Sequence, residues 1–220
     1  MGIELKKRIT TSFFLLFLLM LMYFYTFILI VSLIVIGIIT WIEFYAIISK
    51  IFIKKNFTNI FFRFICKSAS LLYLSMLIFI ILIIESRAPE LKIFIFYSLL
   101  VSITSDIGGL VFGKIFKGKK LTKISPKKTI SGSIGSFAFS FLLIPMFIEF
   151  FNNQSFVILF FITFIISFIS QVGDLFISYL KRKAKVKDTS DLLPGHGGFL
   201  DRIDGIIFSI PIGLLLFKIL

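Results

Sequence analysis

An all-α, polytopic integral membrane helical bundle of about seven spans is the fold class this sequence predicts, and three observations predict it. Hydrophobic residues make up 58% of 220, Phe alone occurs 31 times, and mean hydropathy is +1.07, more apolar surface than a soluble domain of this length can use. The apolar runs approach 20 residues without interruption, whereas a β-barrel would show ~10-residue alternating segments. The basic residues are unevenly distributed between these runs, as loops on opposite faces of a membrane require.

Taken in order, the run from Ser12 to Ser49 is too long for one helix and holds one acid, Glu43. It reads as two spans, about 12–25 and 27–49, with a tight turn near Tyr25-Thr26. The first follows Lys6-Lys7-Arg8 and has the outline of a signal peptide, but it has no small-residue cleavage site and reads as a retained anchor. Further spans are expected at about 68–85, 92–113, 131–150, 156–180 and 203–220. This groups the chain into an N-terminal region, 1–91, with three spans, and a C-terminal region, 92–220, with long loops at 114–130 and 181–202. Cys66 stands alone, so it has no intramolecular disulfide partner and reads as a reduced bystander.

The net charge of +13 invites a nucleic-acid reading, and its distribution argues against one. Segments 1–11, 50–67, 114–130 and 181–202 fall on one side of a seven-span layout and hold 21 of the 24 Lys and Arg. That bias places the N-terminus and these loops in the cytoplasm and the C-terminus outside, with the lysines beside anionic lipid headgroups. A multi-pass membrane protein with those loops on the cytoplasmic side follows.

Acids in or beside a span are costly and point to chemistry. Asp174 lies in "SQVGDLFISYLKRK", where helical spacing puts Asp174, Ser178, Lys181 and Lys185 on one stripe. An ion pair that only anchors the helix end accounts for the stripe equally well. The segment "KDTSDLLPGHGGFLDRID", Lys187 to Asp204, holds the single histidine, His196, and four of the 11 acids. Gly197 and Gly198 let backbone approach a ligand, and the carboxylates Asp201 and Asp204, one turn apart, suit a hard cation such as Mg²⁺. Dipole complements at a helix start are the plainer reading of that pair, and a structural hydrogen bond is the plainer reading of the histidine. A third patch, "SDIGGLVFGKIFKGKKLTKISPKKTISGSIGS", carries Asp106, four glycines (Gly108, Gly109, Gly113 and Gly118) and seven lysines before the fifth span. Its Gly, Ser, Thr and Lys suit a polyphosphate as well as a positive-inside loop, and it has no Walker pattern.

Ser178-x-x-Lys181-Arg182-x4-Lys187-Asp188, followed by Pro194-Gly195-His196-Gly197-Gly198-x-x-Asp201-Arg202-x-Asp204, resembles the signature of the CDP-diacylglycerol synthase (phosphatidate cytidylyltransferase) family. "SDIGGLVFGK…KISPKKT" and "QVGD" resemble its other shared stretches, so the likeness covers about the C-terminal half. It implies an all-helical membrane enzyme that joins CTP and phosphatidic acid into CDP-diacylglycerol and pyrophosphate, with Mg²⁺ and room for a second cation, as a homodimer. It further implies Asp174 and Asp201 as metal ligands, with Asp204 close by. Lys181, Arg182, Lys187, Asp188, His196, Arg202 and Asp204 become the catalytic set. Asp106, Lys128, Ser178, Gly197 and Gly198 become the nucleotide and cofactor contacts. Two positions depart from the family pattern: Ile107 replaces a common hydroxyl residue, and Ser131 replaces a common acid. Phosphoryl chemistry fits these residues, because cations must screen the charge brought together and an anionic nucleophile needs no strong base. His196 is therefore expected to position or donate a hydrogen bond. Related CTP-dependent enzymes acting on polyprenyl or ether lipids would use similar parts. A small transporter ranks below both, since its charges belong near mid-bilayer and these lie at helix ends.

Overall fold

The computed structural model describes residues 3–54, 56–151, 155–195 and 197–219. Among these, the regular secondary structure is helical, apart from two isolated antiparallel bridges. The helices are α1 (Ile3–Phe24), α2 (Thr26–Ile51), α3 (Phe57–Arg87), α4 (Lys92–Phe116), α5 (Ile130–Phe141), α6 (Ile144–Phe147), α7 (Phe156–Lys183), α8 (Leu200–Ile203) and α9 (Ile206–Ile219).

The first long apolar run breaks into two helices, at Tyr25, whose backbone is extended (φ −120°, ψ 105°). Among the described residues, five segments are long and apolar enough to cross a membrane: Thr26–Ile51, Phe57–Arg87, Pro89–Phe116, Ile130–Phe151 and Phe156–Lys183. The segments expected as the first and last of seven spans are helical and shorter. Thr10–Phe24 is an apolar helix below spanning length, and α9 has 14 residues.

Two details differ from the expected layout. The third helix starts at Phe57 rather than near 68, because its polar first turns still carry enough Phe and Ile to continue the helix. The fifth is not one rod: α5 stops at Phe141, and the chain restarts at Ile144 with Pro145 in the first turn. Proline is tolerated there because the amide it lacks would have no intrahelical partner.

The chain divides into two compact units. One comprises Met1–Arg87 and Leu180–Ile203; the other comprises Ala88–Tyr179 and Asp204–Leu220. In the first, α2 and α3 pack with Gly37 beneath the Ile78 side chain, and Trp41 Nε1 donates to the Lys67 carbonyl at 3.3 Å. Lys67 Nζ lies 3.2 Å from the Tyr45 ring centre and donates to Ser49 Oγ at 2.6 Å.

The second unit is built on small residues. Gly108, Gly109 and Gly113 of α4 lie against Gly132, Gly135 and Ser136 of α5 so closely that a methyl at Gly108 would meet the Gly135 carbonyl oxygen. These glycines, read from sequence as suited to polyphosphate, are helix-packing residues, since small side chains let apolar membrane helices approach. Buried hydroxyls tie neighbouring helices: Tyr97 to Thr163 at 2.5 Å, Ser102 to Ser209 at 2.5 Å, and Ser105 to Ser167 at 3.0 Å. Between them Phe94, Phe151 and Phe217 stack, with Tyr97 edge-on to Phe151 and Phe217.

Gly108→Leu is expected to unfold the second unit preferentially, because the intruding side chain meets backbone and the Phe139 ring rather than a flexible terminus. Limited proteolysis in detergent checks this: wild-type resistance across 92–141 would show that α4 and α5 tolerate separation.

Candidate functional site

In the first unit, the segment after α7 forms a polar cluster around one carboxylate. The end of α7 is set by Lys185, whose φ of +56° lies in the left-handed region. Val186 N donates to Lys181 O (3.0 Å) and Lys185 N to Arg182 O (3.1 Å), the paired bonds that close a helix at such a residue. The expected stripe therefore ends before Lys185. Arg182 and Lys187 are exposed, and Arg182 Nη1 reaches the Val186 carbonyl at 3.2 Å.

The loop then turns back on itself. Leu193 N donates to Gly197 O at 2.8 Å, and Gly195 and Gly197 have φ of +76° and +80°. Those angles strain any residue with a Cβ, which explains two of the glycines in "PGHGG". Thr11 Oγ1 of α1 donates to the Pro194 carbonyl at 3.1 Å. His196 lies outside the described residues.

Asp201, in α8, is the centre of this arrangement. Its Oδ1 accepts from Lys181 Nζ at 2.6 Å, with side-chain exposures of 4% and 10% for the two partners. Its Oδ2 faces three donors: Thr189 N (2.8 Å), Gly198 N (3.0 Å) and Thr189 Oγ1 (3.0 Å). Burial pushes the Asp201 carboxyl up. The bonds from Lys181, Thr189 and Gly198, with the lysine charge, outweigh burial and hold it below its ordinary value. It is therefore an anion at neutral pH, fixed between an ammonium and two amides. The Gly198 amide, expected at a phosphate, donates here to Asp201. Asp188 and Arg202 are exposed.

One acid escaped the sequence reading. Glu43 of α2 is 4% exposed, and its carboxylate takes four donors from this same segment. Oε1 accepts from Ser190 Oγ (2.6 Å) and Phe199 N (3.0 Å); Oε2 accepts from Thr189 Oγ1 (2.8 Å) and Leu200 N (2.8 Å). Its only sequence signal was a lone acid inside an apolar run, which names a costly residue and not its partners.

In the second unit, Asp174 forms an ion pair with Lys128, and Ser178 Oγ donates to Asp174 Oδ1 at 3.3 Å. Lys128 is held in place by its loop. Leu121 N donates to Lys128 O (2.8 Å), Ile130 N donates to Lys119 O (2.9 Å), and Thr129 caps α5 by accepting from Gly132 N (3.0 Å). The other residues of "QVGD" have local roles: Gln171 Oε1 accepts from Ser133 Oγ at 2.5 Å, and Gly173 leaves room for Phe208. Asp204 is buried and accepts from Gly205 N at 2.9 Å, whereas Asp106 is exposed.

Among the described residues no three His, Cys, Asp or Glu side chains converge as a cage for a metal ion. Mg²⁺ seldom uses such a cage; it takes one or two carboxylates and completes its shell with phosphate oxygens and water. Asp174 and Asp201, each already balanced by an ammonium, have the chemistry for that role taken singly.

The sequence profile described as "Cytidylyltransferase family" matches residues 3–220. Similar proteins include the phosphatidate cytidylyltransferase of Rickettsia typhi, 42% identical over 149 residues, which are 63% of this chain and 62% of that protein. That of Rickettsia felis is 49% identical over 117 residues (49% and 51%), and that of Staphylococcus aureus is 41% identical over 133 residues (58% and 50%). The chain thus spans 62% of the length of the first relative and about half of the other two. The profile takes in α1 through α9, Glu43 and the Asp201 cluster alike, and on that extent of match the chain belongs to the cytidylyltransferase family.

Proposed function

We propose that the protein transfers CMP from CTP to phosphatidic acid, giving CDP-diacylglycerol and pyrophosphate. The observation that supports this best is the Asp201 cluster, a buried anion pinned by Lys181 and two amides within the segment that carries the family-like signature. In the reaction a phosphate oxygen of phosphatidic acid attacks the α-phosphorus of CTP. The bond from that phosphorus to the bridging oxygen breaks, and pyrophosphate leaves with the electron pair. The attacking oxygen is already anionic, so no side chain must remove a proton from it.

Lys181 holds Asp201, while Arg182, Lys187 and Arg202 offer exposed cations to the phosphates. Asp174 and Asp201 are each candidate ligands for Mg²⁺, which when bound would neutralise charge building on the pyrophosphate. Lys128 and Ser178 orient Asp174, and His196 is assigned to hydrogen bonding with the nucleotide. The deciding experiment incubates purified protein with labelled CTP, Mg²⁺ and phosphatidate in detergent micelles. A CDP-lipid and stoichiometric pyrophosphate are expected; labelled product only with a polyprenyl or ether-lipid acceptor would overturn the substrate assignment.

Arg182→Lys tests the phosphate role. It keeps the charge and loses the planar fork that grips two oxygens, so KM for CTP is expected to rise. A fully active variant would reduce Arg182 to general attraction for lipid headgroups.

The proposed location is the inner membrane, as a homodimer with the site facing the cytoplasm. Single cysteines at Lys119 and Lys187 are expected to resist membrane-impermeant maleimide in intact cells and to react after lysis. Labelling of either in intact cells would invert or break the layout.

A further inference from the structure

We propose that Glu43 is a positioning residue for this transfer: its buried carboxylate, on a helix outside the signature segment, sets the arrangement in which Thr189 and the start of α8 present Asp201. The proposal rests on the transfer reading above.

A carboxylate that is 4% exposed has lost its water and must recover that cost from protein donors. Glu43 recovers it from three donors of its own, Ser190 Oγ, Phe199 N and Leu200 N, and from the Thr189 hydroxyl that it shares with Asp201, four donor groups in all. Among the described residues it has no ion-pair partner. All four donors come from residues 189, 190, 199 and 200, on both flanks of the "PGHGG" turn. Glu43 thereby fixes the two ends of that turn against each other.

The link to Asp201 runs through Thr189. Its hydroxyl lies 2.8 Å from Glu43 Oε2 and 3.0 Å from Asp201 Oδ2, and it has one proton to give. Whichever carboxylate receives that proton, the other faces a lone pair. Changing Glu43 therefore changes what Asp201 accepts, even though the two acids share no direct bond. A residue that only glued α2 to the loop would serve as well with apolar contacts, which avoid the desolvation cost altogether.

The test uses Glu43→Gln, Thr189→Val, Thr189→Ser and the Glu43→Gln/Thr189→Val double variant, each full-length in nanodiscs. Glutamine keeps the shape but turns one acceptor into a donor against two existing donors. Glu43→Gln is expected to lower kcat about tenfold or more per folded molecule, the scale of a misplaced catalytic group, with KM for CTP little changed. Thr189→Val should fall in the same direction, Thr189→Ser should recover, and the double variant should be no worse than Glu43→Gln. Amide exchange by mass spectrometry should quicken at residues 189–201 in Glu43→Gln and stay unchanged in α3.

Wild-type kcat in Glu43→Gln, or a lowered melting temperature with unchanged activity per folded molecule, would overturn the proposal. Should Glu43→Gln not fold, the Thr189→Val and Thr189→Ser pair decides it: equal kcat in the two removes the link to Asp201. If the wild type makes no CDP-lipid, the transfer reading fails by itself. The exchange comparison then decides alone whether Glu43 holds the segment, and unchanged protection would refute it.

Discussion

Asp201→Asn is expected to cut turnover by at least about 100-fold and to loosen the fold as well, and a double variant separates the two losses. Asparagine keeps the size of aspartate but offers one acceptor oxygen and one donor nitrogen. With its oxygen toward the Thr189 and Gly198 amides, its NH₂ group meets the Lys181 ammonium; reversed, it meets the two amides. Either way Lys181, 8% exposed, is left without its counterion, a loss of about 3–5 kcal/mol for a buried pair broken on one side. Adding Lys181→Met removes the stranded charge and leaves the asparagine oxygen free to serve the amides. The Lys181→Met/Asp201→Asn protein is therefore expected to regain most of its melting temperature and none of its turnover. Recovery of activity together with stability would mean that Asp201 serves the fold alone. His196→Gln, which can still donate a hydrogen bond, is expected to retain far more activity than Asp201→Asn.

Gly198→Ala is expected to be the most damaging single-methyl change in the first unit. A Cβ there would overlap Thr189 Oγ1 and sit 2.6 Å from both Glu43 carboxylate oxygens, closer than real Cβ contacts come. None of these atoms can yield cheaply. Glu43 is held by four donors, and Thr189 is bonded through both its amide and its hydroxyl. The expected loss is about 3 kcal/mol, the upper range for overpacking a filled site. Gly195→Ala provides the contrast: its φ of +76° costs about 1 kcal/mol for an L-residue. Thermal unfolding in detergent should rank Gly198→Ala well below Gly195→Ala. Equal melting temperatures would show that the pocket around Glu43 and Thr189 is loose.

The residues of the site were legible to different degrees, for reasons that follow from what each needs. Asp201 and Lys181 stood out because charge beside an apolar span is expensive and their spacing matches a family signature. Gly197 was legible only as a residue that lets backbone approach a ligand, and the structure puts it and Gly195 at positive φ in a turn. Glu43 was visible only as an isolated acid; that its four donors lie between Thr189 and Leu200 could not be read from one chain position. The glycines of "SDIGGLVFG" misled for a related reason. Glycine that approaches a phosphate and glycine that approaches a second helix are the same residue in a sequence, and only the presence of α5 against α4 distinguishes them.

The sequence by itself determined the class of protein, the approximate place of the long apolar helices, the break near Tyr25 and the segment that gathers the polar residues. Each of these depends on hydropathy over ~20 residues, on charge counts or on fixed local spacing, all of which are one-dimensional. Tertiary structure alone decided which partners those residues take: Glu43 with the Thr189 and Leu200 ends of one loop, Lys128 with Asp174, and Gly108 with Gly135. It also decided that residues 180–203 form a compact unit with 1–87. The physical reason lies in the helices. When nearly every face of a helix is apolar, no stripe of sequence marks the face that meets a neighbour, so small residues and buried polar bonds choose it, and those appear only once the helices have packed.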